Sequence, residues 1–170
     1  MKENFDACLK LLLKSEGGFV NDPKDPGGIT NLGVTKRVWE EWVGHDVTET
    51  DMQRLQPSDV APLYRNKYWD RVKGDDLPSG LDYCCFDFAV NGGVGRAAKL
   101  LQAIVGVDQD GSIGNGTIAA IKAHDPKELI DLYCARRQTY YESLPTFEHF
   151  GRGWTARVSR VEDEAKELLA

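Results

Sequence analysis

The sequence predicts a mainly α fold with one small irregular β-hairpin or loop after the first helix. Three observations carry this reading. Apolar residues recur at three- and four-residue spacing through most of the chain. Turn chemistry crowds into one stretch, where Asn21-Asp22-Pro23, Asp25-Pro26-Gly27-Gly28 and Asn31-Leu32-Gly33 follow each other closely. Only Phe19-Val20 and Ile29-Thr30, within that stretch, read as strand.

Taken in order, the first helix is expected from Glu3 to Glu16, with Phe5, Cys8, Leu9, Leu12 and Leu13 as its stripe and Gly17-Gly18 as its stop. After the turn-rich stretch, Thr35 caps a helix over Lys36 to Val43 whose apolar side is Val38, Trp39 and Trp42. A short helix follows around Glu49 to Leu55. The next opens at Pro57 with Ser58 as its cap and runs through Val60, Leu63 and Tyr64 to Tyr68 and Trp69. A polar connection leads to a helix from Gly80 to Asn91, whose stripe of Leu81, Cys84, Cys85, Phe88 and Ala89 is wide enough to make it the most buried. Asn91-Gly92-Gly93 breaks it. Helices then follow over Val94 to Val105, up to Ala123, from Pro126 to about Leu144, and from Trp154 to Ala170.

Composition narrows the function. The 170 residues carry 21 basic and 27 acidic side chains, a formal net charge of −6, which argues against nucleic acid as the main partner. No apolar run approaches the ~18 residues of a membrane span, and the N-terminus reads as no signal peptide, so stable membrane association is not expected. Cys8, Cys84, Cys85 and Cys134 sit in apolar helical patterns and read as free buried thiols. Without a Cys-x-x-Cys pair, and with His45, His124 and His149 scattered, no metal site is expected. Asp108-Gln109-Asp110-Gly111 lacks the spacing of a calcium loop, and Gly92-Gly93-Val94-Gly95 lacks that of a phosphate loop. No cofactor is implied.

Glu16 is the residue that draws chemistry. At roughly 100° per residue it falls about 20° from the directions of Phe5 and of Leu9, on the core-facing stripe. A carboxylate half inside a core, at a helix end and facing a glycine loop, is a candidate general acid. Asp22, Asp25 and Thr30 follow within the turn-rich stretch. A second carboxylate in a polar loop can orient or deprotonate a water, the division of labour used in glycosidic bond hydrolysis.

Glu16-Gly17-Gly18-Phe19, with Asp22, Asp25 and Gly27-Gly28-Ile29-Thr30-Asn31-Leu32-Gly33-Val34, resembles the signature of the glycoside hydrolase family 108 N-acetylmuramidases. That family includes phage and prophage endolysins with a lysozyme-like helical fold. Its motif has a tyrosine where Phe19 stands here, which keeps the ring and loses a hydroxyl. The spacing also resembles the Glu, Asp, Thr triad of related phage lysozymes, with one residue fewer between Asp25 and Thr30. The resemblance implies that Glu16 is the general acid and that Asp25 and Thr30 position water or sugar. Asp22 competes with Asp25 for that role.

The likeness continues through Asn66-Lys67-Tyr68-Trp69-Asp70 and Phe86-Asp87-Phe88-Ala89-Val90-Asn91-Gly92-Gly93. Val107 to Gly114 and Arg152 to Val158 are similar to the peptidoglycan-binding half attached to such enzymes. The expected organisation is therefore a catalytic lysozyme-like part over 1–92 and a helical C-terminal part over 93–170, packed as one unit. Tyr68 and Trp69 are open to two readings, core or sugar-stacking groove, and Asn91 to helix cap or sugar ligand. Asp87, between two phenylalanines, needs a partner if buried, and a structural ion pair is expected. The implied activity is hydrolysis of the β-1,4 bond between N-acetylmuramic acid and N-acetylglucosamine in peptidoglycan glycan strands. The expected actor is a monomer, accumulating in the host bacterial cytoplasm before release to the wall. A lytic transglycosylase, or a non-catalytic wall-binding or secretion accessory protein, are the competing readings.

Overall fold

A computed structural model describes residues 1–24 and 28–170. It is mainly helical, as the periodicity predicts, with one small antiparallel sheet among the described residues. Its contacts divide the chain into two compact units, residues 6–66 and residues 1–5 with 67–170.

The smaller unit starts from α1 (Phe5–Glu16) and carries the sheet. Strands β1 (Val20–Asn21), β2 (Ile29–Asn31) and β3 (Val34–Thr35) pair antiparallel in that order, with Val20 opposite Thr30 and Thr30 opposite Thr35. Thr35 ends the sheet and begins α2 (Lys36–Val43), its hydroxyl accepting from the Val38 N–H at 3.1 Å, as the N-cap reading expects. Helices α3 (Glu49–Gln53) and α4 (Pro57–Tyr64) complete the unit. Buried Asn31 ties the middle strand to α3, its Nδ2 donating to the Met52 carbonyl at 2.7 Å. Ser58 is not the cap of α4. That place belongs to Gln56, whose N–H donates to Asp59 at 2.8 Å, while Pro57 takes the first helical position, where its missing N–H is harmless.

The larger unit is built on α5 (Leu81–Gly92), which is buried at every residue from Leu81 to Ala89. Around it pack α6 (Val94–Val105), α8 (Pro126–Glu142) and α9 (Phe147–Leu169), with α7 (Asn115–Lys122) against α6. Helices α8 and α9 run antiparallel: Asp131 pairs with Lys166 at 2.7 Å while Gln138 donates to Thr155 at 2.9 Å. Helix α9 starts seven residues before Trp154, the expected start, because Gly151 does not break it. Gly151 is buried against the Phe147 ring, where a Cβ would stand 2.6 Å from a ring carbon. Its glycine answers to a close approach.

Asp87 is fully buried in α5 and carries the ion pair expected of it, with two arginines. Arg137 of α8 places Nη1 2.7 Å from its Oδ2, and Arg157 of α9 places Nη2 2.9 Å from its Oδ1. The Arg137 guanidinium also lies over the Phe88 ring, 4.9 Å from its centroid. Burial alone would raise the Asp87 pKa, but the two arginines outweigh it and hold the carboxyl below its ordinary value. The stability this gives is complete above the unfolded-state pKa of about 3.9 and is lost as pH falls through the lower folded value.

Asp87→Asn should therefore destabilise the protein by about 3–5 kcal/mol at neutral pH, by leaving buried arginine charge uncompensated. Chemical denaturation across pH should show this loss shrinking toward the acid limb. A constant difference between the two proteins from neutral pH to below 3.9 would remove the ionised aspartate from the account.

Candidate active site around Glu16

Glu16 is the last residue of α1 and is half-buried. Gly17 follows at φ +78°, its N–H closing on the Leu13 carbonyl at 3.2 Å, so the helix stops there in a left-handed turn. The glutamate is thus held by a full helix on one side while the chain is free to turn into the sheet on the other.

The sheet returns to Glu16 through the β2–β3 turn. Leu32 (φ +52°) and Gly33 (φ +77°) are its two central residues, the pair of positive φ values that a two-residue type I′ hairpin requires. Leucine rarely adopts that geometry. Tyr64, buried in α4, donates its hydroxyl to the Leu32 carbonyl at 2.7 Å and so holds the turn. At Gly33 there is no room for a side chain: a Cβ would stand 2.5 Å from the Tyr64 hydroxyl, 2.9 Å from Glu16 Cβ and 3.0 Å from Glu16 Cγ. The stem of Glu16 therefore lies against the backbone of the turn and the head of Tyr64.

Thr30 sits two residues before that turn, half-buried in the middle strand. Strand side chains alternate, and Asn31 points to Met52, so Thr30 projects from the opposite face of the sheet. Asp22 follows β1, exposed, with its Oδ1 accepting from the Lys24 N–H at 2.9 Å. That Asx-type turn fixes the carboxylate to its own loop. Asp25 lies outside the described residues. The sequence marks Tyr64 only as part of an apolar helix side, and nothing in it distinguishes this residue from neighbouring core aromatics.

The remaining candidates lie in the larger unit. Of the two readings open to Trp69, the structure assigns the core. It has no accessible surface, its Nε1 donates to Asp75 at 2.9 Å, and its ring meets Phe5 and Phe86 edge-on at 5.4 and 5.3 Å. The choice of Trp69 as a substrate-binding residue is corrected accordingly, since a fully covered indole offers no face to a sugar. Tyr68 is half-buried. Asn91 is exposed in the last turn of α5, and its Oδ1 accepts from the Tyr141 hydroxyl, which in turn accepts from Arg137 Nε at 3.1 Å. Gly93, at φ +101°, takes the cap position itself. The four cysteines are free and buried, and among the described residues no group of three His, Cys, Asp or Glu side chains could hold a metal ion.

The family model described as glycosyl hydrolase 108 matches residues 9–93, and that described as a predicted peptidoglycan domain matches residues 96–159. Among solved structures, that of Brucella abortus SagA is 41% identical and superposes with a TM-score of 0.87, covering 99% of this chain and 97% of that one. No curated protein matches the chain.

Two substitutions test the corner that holds Glu16. Gly33→Ala should cost about 1–3 kcal/mol, from the contacts with Glu16 and Tyr64 and from the left-handed backbone. Tyr64→Phe should cost about 1 kcal/mol by removing one hydrogen bond. Thermal unfolding reads both. Melting temperatures equal to the wild type would show that the turn does not depend on these contacts.

Proposed function

The chain belongs to the glycosyl hydrolase 108 family and is a peptidoglycan hydrolase, and on that premise we propose that it is an N-acetylmuramidase with Glu16 as its general acid. One observation carries the reading. A half-buried carboxyl group stands at the end of a helix, its stem against the backbone of the hairpin turn that follows the strand bearing Thr30.

In this mechanism Glu16 protonates the oxygen that links N-acetylmuramic acid to N-acetylglucosamine as the bond breaks and an oxocarbenium-like centre develops. A carboxylate in the loop between β1 and β2 orients the attacking water. Asp25 is the first choice for this from its spacing, with Asp22 second and Thr30 as a hydrogen-bonding partner to water or sugar. A rigid proton donor is what the reaction asks for, since the donor must sit within hydrogen-bond reach of the leaving oxygen. The chemistry needs no metal. The role proposed with it is that of an endolysin, monomeric and held in the bacterial cytoplasm before release to the wall. Family membership is the support for that role.

Glu16→Gln should lower peptidoglycan hydrolysis by about 10²–10⁴ while leaving the melting temperature near that of the wild type. Wall clearing at the wild-type rate by the folded variant would overturn the assignment. Asp25→Asn should cost more activity than Asp22→Asn, and the reverse order would exchange their roles. Mass spectrometry of the digest should find reducing N-acetylmuramic acid ends. Anhydro ends in their place would make the enzyme a lytic transglycosylase.

A further inference from the structure

Helices α6 and α8 of the larger unit enclose a groove of about 780 Å³ whose charge is opposite to that of the whole protein. Arg96 and Lys99 reach it from one helix, and Arg136 from the other. On each helix two positions lie three and four residues after the first, which puts them on its face: Lys99 and Leu100 after Arg96 on α6, and Thr139 and Tyr140 after Arg136 on α8. Among the described residues, no acidic one lines the groove. The chain as a whole carries a net charge of −6, so three converging cations here are a local inversion of sign.

These cations differ from three on α9. On α9, Arg157, Arg160 and Lys166 are each paired with a carboxylate. Among the described residues Arg96, Lys99 and Arg136 have no such partner. Asp110, in the loop bordering the groove, is turned away: its Oδ1 accepts from Gln102 Nε2 at 2.8 Å and from the Ser112 N–H at 2.9 Å.

The groove is also stiff. Tyr133 of α8 donates to the Ala97 carbonyl of α6 at 2.9 Å, which fixes the two helices to each other through a buried bond. Arg96 donates to the Gly92 carbonyl at 2.8 Å and lays its guanidinium 4.7 Å above the centroid of the Tyr140 ring. That ring is itself packed against Phe88 and Tyr141. A guanidinium held in this way is oriented before any ligand arrives, and its remaining N–H groups suit a carboxylate.

We infer that this groove binds the carboxylates of the peptide stems that hang from peptidoglycan glycan strands. Charge complementarity selects an anion. The volume suits a short peptide segment rather than a folded protein, and apolar Leu100 and Ala103 supply surface for small side chains such as alanine. The stems bring free carboxylates and small apolar residues together on the polymer this enzyme hydrolyses. The inference rests on peptidoglycan being the substrate, and it assigns the larger unit a recognition task separate from the Glu16 chemistry.

Calorimetric titration of the full chain with a free stem tetrapeptide, with the peptide-free N-acetylglucosamine–N-acetylmuramic acid disaccharide, with polyglycerol phosphate and with a DNA oligonucleotide would test it. The tetrapeptide should bind, weaken as salt is raised, and lose about tenfold or more in affinity in the Lys99→Gln/Arg136→Gln double variant. The double variant should also hydrolyse intact wall more slowly while cleaving amidase-stripped, peptide-free strands at the wild-type rate. Tetrapeptide binding that is absent, or unchanged in the double variant, would overturn the inference. So would tighter binding of polyglycerol phosphate or DNA than of the tetrapeptide. If wild-type protein fails to cleave even peptide-free strands, the glycosidase reading fails instead, and the titrations still decide the groove.

Discussion

The absence of a side chain at Gly33 is the constraint on which the candidate active site depends. A Cβ there would stand 2.5 Å from the Tyr64 hydroxyl and 2.9 Å from Glu16 Cβ, so only a bare backbone lets helix end, hairpin turn and α4 meet. The same turn places Leu32 at a positive φ that leucine resists, and the Tyr64 hydroxyl bond to its carbonyl offsets part of that cost. Strain, close approach and hydrogen bond thus converge on the stem of one glutamate. The role proposed for Glu16 would gain from this, because catalysis rewards a proton donor that is already in place and spends no binding energy on ordering it.

The larger unit solves a different problem. Its central helix α5 buries nine consecutive residues, Leu81 to Ala89, and two of them, Asp82 and Asp87, are acids. Replacing an aspartate at position 87 by an apolar residue would make a conventional core, but Arg137 and Arg157 would then be stranded, one of them fully buried. Because the pair cannot be removed one side at a time without a large penalty, it fixes which faces of α8 and α9 turn toward α5. The Arg137–Tyr141–Asn91 chain extends that specification to the end of α5, where the helix gives way to Gly93 and α6 begins.

Much of this was legible in the sequence where one residue type has one local job. Thr35 before a periodic segment reads as an N-cap, the wide apolar run from Leu81 reads as the buried helix, and Asp87 between two phenylalanines calls for a partner. What escaped depends on partners far away in sequence. The start of α9 ahead of Trp154 depends on the Phe147 ring packed against Gly151, and Ser58 outranks Gln56 as a cap on preference alone. Trp69 could not be placed in core or groove because the residues that cover it, Phe5 and Phe86, belong to other segments. Of the candidate site, a stripe and a motif single out Glu16 and Thr30 as proposals, while nothing singles out Tyr64, since its bond is to a carbonyl thirty-two residues earlier.

On the proposed function, charge distribution would tie each unit to a different part of one polymer. The turn-rich stretch of the smaller unit offers carboxylates and a hydroxyl, groups of the chemistry that the proposed mechanism needs for giving and placing protons. The α6–α8 groove of the larger unit offers three cations and, among the described residues, no acid. Peptidoglycan carries both chemistries, neutral sugars in its strands and carboxylates on its stems. Rim charges of this kind act mainly on encounter and orientation, and truncating them changes salt dependence and on-rate more than the chemical step. An acidic protein approaching an anionic wall is repelled overall, so a local cationic groove would set which face arrives first. Placing it in a unit that does not contain Glu16 leaves recognition and bond cleavage free to be tuned apart.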